Sequence, residues 1–311
     1  MKTERPLTVG ITTRNRLDSL IRCVASLGII SHLAHEIIVI DDCSDAPVEG
    51  PLRQSLPPDF SIPLTVIRHS QNDGPIVARN RVARLAKRNL ILSLDDDAAI
   101  LEPGAIERAV ELISSDRMIG AVALAQADGP GRPWPELMQP SPVRYTCYVA
   151  AFIGFATVIR RDDFLSLGGY RSRFYYYGEE KEYCLRLLDS GRHVVYLPGA
   201  LVGHFPDPSG RSMQKYLRHV IRNDCLGAIY NEPLPLLALS IPVRLCAYLK
   251  MKRHSKVKDP NGFIWIVGEL LKLNVWKERR PLKWKTFRRW RDIKRSWPPY
   301  GLVDHGTQIS Q

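Results

Sequence analysis

Three consecutive carboxylates, Asp95-Asp96-Asp97, follow directly on the apolar run Leu90-Ile91-Leu92-Ser93-Leu94. Acids packed this closely repel one another, so such a cluster calls for something positive among them. A hard divalent cation with oxygen ligands suits it, and such ions commonly hold a substrate's phosphates as well. A solvated acidic turn is the competing reading; the strand-length apolar run ahead of the triplet decides against it. A second group, Glu179, Glu180 and Glu182, opens a segment of helical spacing. The helix macrodipole there favours ionised carboxylates, which keeps one available as a general base. His204 is the third candidate, placed in a Gly- and Pro-rich loop after Pro198-Gly199-Ala200. Imidazole is the commonest metal-ligating side chain.

These groups need a frame that brings distant segments together. Leu7 to Ile11 reads as a strand, followed by a helix with Leu17, Leu20, Ile21, Val24 and Leu27 on one face. Glu36 to Ile40 and Leu64 to Ile67 read as strands, separated by a Pro-rich loop. Gly74-Pro75 opens a helix expected to run to about Asn89, with Ala78, Val82, Leu85 and Ala86 inward. Leu90 to Leu94 is the next strand, Pro103-Gly104 starts a helix to Ile113, and Ile119 to Leu124 is again a strand. Gly129 to Pro135 reads as a flexible surface loop. Val149 to Ile159 and His193 to Leu197 read as strands around a helix that begins at Glu179 and stops at Gly191. Strands alternating with helices predict an α/β fold with a mostly parallel sheet, ligands gathering at the strands' carboxyl ends. No Gly-x-Gly-x-x-Gly follows the first strand, so a bound nucleotide's phosphates would be met by metal rather than by a glycine loop.

The 311 residues carry a formal charge of +12, and it is concentrated. Between Arg244 and Arg295 there are 17 Lys and Arg against four acids, a local +13, so the remainder is close to neutral. The six cysteines are scattered without a Cys-x-x-Cys, which argues against a disulfide scaffold or a structural zinc site and suits a reducing compartment. No signal peptide is visible. Pro233 to Leu249 is apolar, but Pro235, Pro242 and Arg244 interrupt it, and the expectation is that it is too broken to span a bilayer. Five tryptophans between Trp265 and Trp297 alternate with Lys and Arg. That pattern suits an anionic membrane surface or a packed basic helix, and would serve nucleic acid too.

The order of these features resembles the inverting family-2 glycosyltransferases of GT-A fold, in particular the rhamnosyl- and galactofuranosyl-transferase-like members. The marks are Thr13-Arg14-Asn15-Arg16, Ile38 to Asp45, Gly74-x-x-x-Ala78-Arg79-Asn80, Leu94 to Asp97, Gly168-Gly169-Tyr170, Tyr177 to Glu182, His204, and Tyr216-x5-Arg222-Asn223.

The resemblance implies a GT-A Rossmann-like domain over residues 1–232 and a basic, mainly helical extension over 233–311. It implies that Asp41 binds the nucleotide base, that Thr12, Thr13, Arg14 and Arg79 line its pocket, and that Asp95 and Asp96 lie by the ribose and donor. It implies Asp97 and His204 as ligands of Mn2+ or Mg2+, and Glu180 as general base, with Glu179 and Glu182 as alternates. Arg14 stands where many relatives place an aromatic residue, and Glu180 where the family usually has Asp. The implied partners are a UDP- or dTDP-sugar and a glycan or lipid-linked acceptor of envelope or surface polysaccharide synthesis. A cytoplasmic location follows, with peripheral contact to the membrane's cytoplasmic face; nucleic acid is not expected. A nucleotidyltransferase using the same acids on an NTP, or a nucleic-acid-binding protein led by the basic segment, are the rival readings.

Overall fold

The computed structural model describes residues 5–206 and 212–301. Its first half runs β1 (Leu7–Thr13), α1 (Leu17–Ser26), β2 (Ala34–Asp41), α2 (Glu49–Ser55), β3 (Leu64–Arg68), α3 (Pro75–Leu85), β4 (Leu90–Asp95), β5 (Ala98–Ile100), α4 (Pro103–Ser115) and β6 (Ile119–Gly129). Then come β7 (Arg132–Pro133), β8 (Cys147–Tyr148), β9 (Ala156–Arg160), α5 (Arg161–Ser166), α6 (Glu179–Asp189) and β10 (His193–His204). Five helices close the chain: α7 (Met213–Asn231), α8 (Leu234–His254), α9 (Gly262–Leu270), α10 (Leu273–Lys277) and α11 (Trp284–Ser296).

One sheet holds the molecule together, in the order β3-β2-β1-β4-β9-β6-β10-β5. The first four strands are parallel, as are β6 and β10. Strand β9 lies between β4 and β6 and runs against both, so the sheet is mixed. Alternate residues divide between its faces, as the period of two requires. Leu90, Leu92 and Leu94 enter one apolar cluster and Ile91 the other. The C-terminal helices build no core of their own: Tyr248, Ile266, Leu270 and Val275 join the cluster that contains Tyr230 and Ile40, and Ile293 joins the other.

Several expectations are corrected. Helix α3 stops at Leu85, which is exposed rather than inward. The chain turns there because the Lys87 and Arg88 amides donate to Glu36 Oε1 (2.8 Å) and Thr8 Oγ1 (3.2 Å), which leads directly into β4. The Pro-rich stretch before β3 contains α2, whose Pro51 falls in the first turn, where a missing N–H costs nothing. Only Ala156–Arg160 of the segment from Val149 is strand; Val149 donates to the Val194 carbonyl and Phe155 accepts from the Asp95 amide, and between them the chain passes Glu180 at Gly154. His204 is the last residue of a strand rather than a loop residue, because β10 continues beyond a register shift between Leu197 and Leu201. The Gly129–Pro135 stretch is a hairpin with β7, not an open loop, held by the Trp134 amide on the Gln126 carbonyl (2.9 Å). Finally, α8 is an unbroken helix of 21 residues, by length and composition apolar enough to cross a membrane. Pro235 sits in its first turn, and Pro242 is accommodated inside it.

Candidate active site

The parallel strands β1, β2 and β4 end together, and their ends carry the acids. Thr13 on β1 is in register with Asp41 on β2, and Thr12 with Asp95 on β4. Asp41 and Asp42 are both buried. Asp42 is spent on structure, accepting from the Asp73 and Gly74 amides at 3.0 and 2.8 Å and facing His69 Nδ1. Asp41 takes the Ser44 amide on Oδ1 (2.9 Å), while its buried Oδ2 has no hydrogen-bond partner. The nearest cation to it is Arg68, whose Nε lies 3.9 Å from Oδ2, beyond hydrogen-bond reach, so the oxygen still has room for a ligand N–H.

At the acid triplet the positive charge comes from Arg16. Its Nη1 donates to Asp96 Oδ1 at 2.9 Å and to Asp97 Oδ2 at 3.0 Å, and Thr13 Oγ1 donates to Asp96 Oδ2 at 2.7 Å. Burial pushes the Asp96 carboxyl up to about 6, against the pull of Arg16. Arg14, by contrast, is exposed and reaches only the Cys43 carbonyl at 3.4 Å. Sequence reasoning singled out Arg14 and gave Arg16 no role of its own. The loop between them is fixed by Asn15, whose amide donates to Ser44 Oγ (2.9 Å) while its side-chain oxygen accepts the Asp45 amide (2.7 Å).

Asp97 Oδ1 is buried with no hydrogen-bond partner, and His204 Nε2 lies 3.5 Å away. The other ring nitrogen, Nδ1, meets Gln126 Oε1 at 2.5 Å. The Gln126 amide nitrogen donates to the Met138 carbonyl, so its oxygen is an acceptor and His204 carries its proton on Nδ1. The Nε2 edge of the ring faces Asp97. The ring is stacked between Trp134 (5.2 Å) and Phe155 (4.7 Å). A buried carboxylate oxygen without a hydrogen-bond donor, facing an imidazole edge whose ring is oriented from behind, fits a divalent cation. Among the described residues no group of three or more His, Cys, Asp or Glu could hold a metal. Two protein donors leave the other positions to ligand oxygens and water, as is usual for Mg2+.

Arg79 joins the acids of β4 to the helix carrying the candidate base. Its Nη2 donates to Asp95 Oδ1 at 2.5 Å and its Nη1 to Glu179 Oε1 at 2.8 Å. Its hydrogen bonds thus tie two parts of the site together. Glu180, half-buried, follows Glu179. Burial pushes its carboxyl up to about 8; the neighbouring charge of Glu179 adds to this and Arg79 opposes it. Among the described residues no side chain donates to it and only its own backbone amide does, which leaves it able to take a proton. The backbone beside it is Gly154, where a Cβ would come within 2.3 Å of Glu180 Oε1. Glu182 is different. Arg171 and Arg186 donate to it at 2.6 to 3.0 Å, and together they outweigh its burial and hold its carboxyl below the ordinary range. Its lone pairs are committed to folding.

Two motifs position this helix. Gly178 adopts φ +83° just ahead of α6, a conformation that suits glycine, and so aims the first turn at Arg79. The Asn223 side-chain amide on α7 donates to the carbonyls of Phe174, Tyr176 and Tyr177 at 2.7 to 2.9 Å, and Arg222 donates to those of Arg173 and Phe174. The pair latches the loop that presents Glu179 and Glu180. Asn80 does the same for the Gly168-Gly169-Tyr170 turn, exchanging two hydrogen bonds with the Tyr170 backbone (2.8 and 2.9 Å).

Comparison with known proteins gives a consistent picture. Residues 8–167 match the model of the family described as Glycosyl transferase family 2, a stretch that ends before α6 and β10. A pre-mycofactocin glycosyltransferase of Mycobacterium tuberculosis is 27% identical over 215 residues, 64% of this chain and 43% of the relative. An uncharacterised glycosyltransferase of Haemophilus influenzae is 31% identical over 116 residues, 37% of each chain. The chain thus spans about two-fifths of the length of these relatives. The mannosyltransferase PcManGT of Pyrobaculum calidifontis, solved with GDP-Man and Mn2+, superimposes with a TM-score of 0.60 at 16% identity, covering 94% of this chain and 88% of that one. GalNAc-T7, solved with UDP, GalNAc and Mn2+, gives 0.61 at 19% identity, covering 87% and 57%. The fold is that of these GT-A enzymes.

Proposed function

We propose, from the premise that the chain belongs to glycosyl transferase family 2, that it moves a sugar from a nucleoside-diphosphate donor to an acceptor hydroxyl with inversion at the anomeric carbon. The observation that carries this reading is the Asp95–Arg79–Glu179 bridge. It holds the acids at the strand ends beside a carboxylate poised to accept a proton. The buried Oδ2 of Asp41, paired with Arg68 at 3.9 Å but not hydrogen-bonded, suits the N3–H of uracil or thymine, which supports a UDP- or dTDP-sugar.

Asp97 and His204 would hold Mn2+ or Mg2+, which supplies Lewis-acid stabilisation of the charge gathering on the departing diphosphate. The residues of the chain do the rest. Asp41 and Thr13 orient the nucleotide, and Arg16 and Arg79 keep the acids apart. Glu180 takes the proton from the acceptor hydroxyl as its oxygen bonds to the anomeric carbon and the bond to the diphosphate breaks. One displacement inverts the centre, and no covalent enzyme intermediate is required. The acceptor is the hydroxyl of an envelope or surface glycan, free or lipid-linked.

A panel of UDP-, dTDP- and GDP-sugars, screened by thermal shift and by donor hydrolysis with and without manganese, tests this reading. Stabilisation by a UDP- or dTDP-sugar that requires the cation supports it. Stabilisation by NTPs alone, with pyrophosphate release, replaces it with nucleotidyl transfer.

A further inference from the structure

Ten of the 19 large apolar side chains that are exposed among the described residues fall between Leu234 and Trp284. Helix α8 carries four of them, with Leu234 64% exposed, Leu239 70%, Val243 59% and Leu249 49%, and Pro242 and Cys246 are exposed beside them. The opposite side of α8 is pinned by charge. Arg244 donates to Asp224 Oδ2 and Glu232 Oε1, both at 2.8 Å. Tyr248 Oη donates to the buried Asp259 at 2.6 Å, and Lys252 Nζ to the Asp259 carbonyl at 2.6 Å. Ile241, Leu245, Ala247 and Met251 pack against the core on that inward side, so the helix is apolar on both faces and its outward stripe is exposed. An apolar stripe of this length on an unpartnered helix marks an interaction surface.

We propose that the outward face of α8 docks on an anionic lipid bilayer and lies in the plane of its interface. Its exposed face is apolar and ends in cations, where Lys250, Arg253 and His254 are exposed, an arrangement that suits the boundary between acyl chains and anionic headgroups. The surrounding segment carries the local +13, which complements anionic headgroups. Crossing the bilayer would strip Arg244 of both carboxylates, so the helix lies flat. A groove of about 750 Å³ beneath it supports lipid as the occupant over a second copy of the chain. The groove shares Leu239, Val243 and Trp284 with the exposed face and extends to Tyr177 and Gly178, directly ahead of Glu179 and Glu180. An acceptor anchored in lipid would need such a route; this part of the argument rests on the transferase reading, and the docking itself does not. The tryptophans have a smaller part than their number suggests, since Trp265, Trp290 and Trp297 pack against the protein and only Trp276 and Trp284 are exposed.

The test is sedimentation of the full chain with vesicles of phosphatidylcholine and phosphatidylglycerol, beside vesicles of phosphatidylcholine alone. Binding to the mixed vesicles that weakens with salt is expected. Leu234→Glu with Leu249→Glu removes one apolar anchor at each end of the stripe, away from the groove. Each is worth about tenfold or more from the area withdrawn from water, so the double variant binds roughly a hundredfold more weakly. Thermal shift with the donor nucleotide is expected to be unchanged in this variant, which shows a folded chain and separates a failure of docking from a failure of the transferase reading. Three results overturn the proposal: a wild-type chain that ignores anionic vesicles, a double variant that binds like wild type, or a wild-type dimer that the double variant dissociates. Resistance of the bound protein to an alkaline carbonate wash would overturn the in-plane placement in favour of a spanning helix.

Discussion

His204 Nε2 faces Asp97 Oδ1 across 3.5 Å, and Gln126 fixes the imidazole from the opposite nitrogen. The pair predicts a cation site with a defined hierarchy. Asp97→Ala abolishes manganese-dependent nucleotide binding, and His204→Ala weakens it in a folded protein. Gln126→Ala, which removes the partner behind the ring together with the hydrogen bond to the Met138 carbonyl, weakens manganese affinity by about 10–100-fold, the usual effect of losing an outer partner. Calorimetry of manganese with UDP present reads all three. Unchanged affinity in both Asp97→Ala and His204→Ala removes the assignment.

Glu180→Gln keeps shape but cannot accept a proton. Turnover falls by about 10²–10⁴-fold while donor and metal affinity hold. Glu179→Gln loosens Arg79 as well, so it disturbs both donor affinity and turnover. If Glu179→Gln alone stops the reaction and Glu180→Gln does not, the base has been misassigned.

The Glu180 carboxyl, raised to about 8, predicts a rate that climbs with pH and levels off above that value, because a base works only when unprotonated. The sign for folding is the opposite. The folded protein holds this proton more tightly than the unfolded chain, so the stability contributed below the ordinary Glu range is lost as pH rises through about 8. Glu180→Gln flattens both dependences. A pH–rate profile of single turnovers, beside urea midpoints at the same pH values, checks the pair.

Glu182 separates folding from chemistry. Removing its charge takes from the half-buried Arg171 and Arg186 their nearest carboxylate and leaves them only Glu278 and the Leu167 and Gly169 carbonyls, at a cost of about 3 kcal/mol. Urea denaturation of Glu182→Gln is expected to show that loss, with turnover per folded molecule preserved.

Gly154→Ala puts a methyl group where Glu180 Oε1 now lies, at 2.3 Å. Displacing the carboxylate by about 1 Å costs on the order of 10²-fold in rate. Donor affinity, measured by calorimetry, is expected to stay put, because Asp41, Asp96 and Asp97 are untouched.

Much of the frame is legible in the sequence because the inner strands bury both faces and read as unbroken apolar runs, Ile37 to Ile40 and Leu90 to Leu94 among them. The acid triplet is visible for the same reason, as an abrupt change at a strand end. What escapes is whatever depends on partners far along the chain. Arg16 and Arg14 are indistinguishable by type, and only the loop tied by Asn15 to Ser44 and Asp45 sends one to the acids and leaves the other in solvent. Three adjacent glutamates likewise look equivalent until Arg171 and Arg186 claim Glu182. His204 seems to follow a Pro-Gly break, yet pairing of β10 with β6 resumes at Leu201 and carries the strand through to it. The outward stripe of α8 is hidden because its two prolines suggest interruption and the inward anchors, Asp224, Glu232 and Asp259, lie elsewhere in sequence.

The guanidinium of Arg16 has a consequence for the protein as a material. The charge that quiets Asp96 and Asp97 at rest is covalently part of the chain, so the domain does not need an ion to assemble. Chelator should leave the melting temperature nearly unchanged while erasing nucleotide-dependent stabilisation, and adding manganese back should restore it. The protein can then be prepared and stored metal-free, and started at a chosen moment by a single addition.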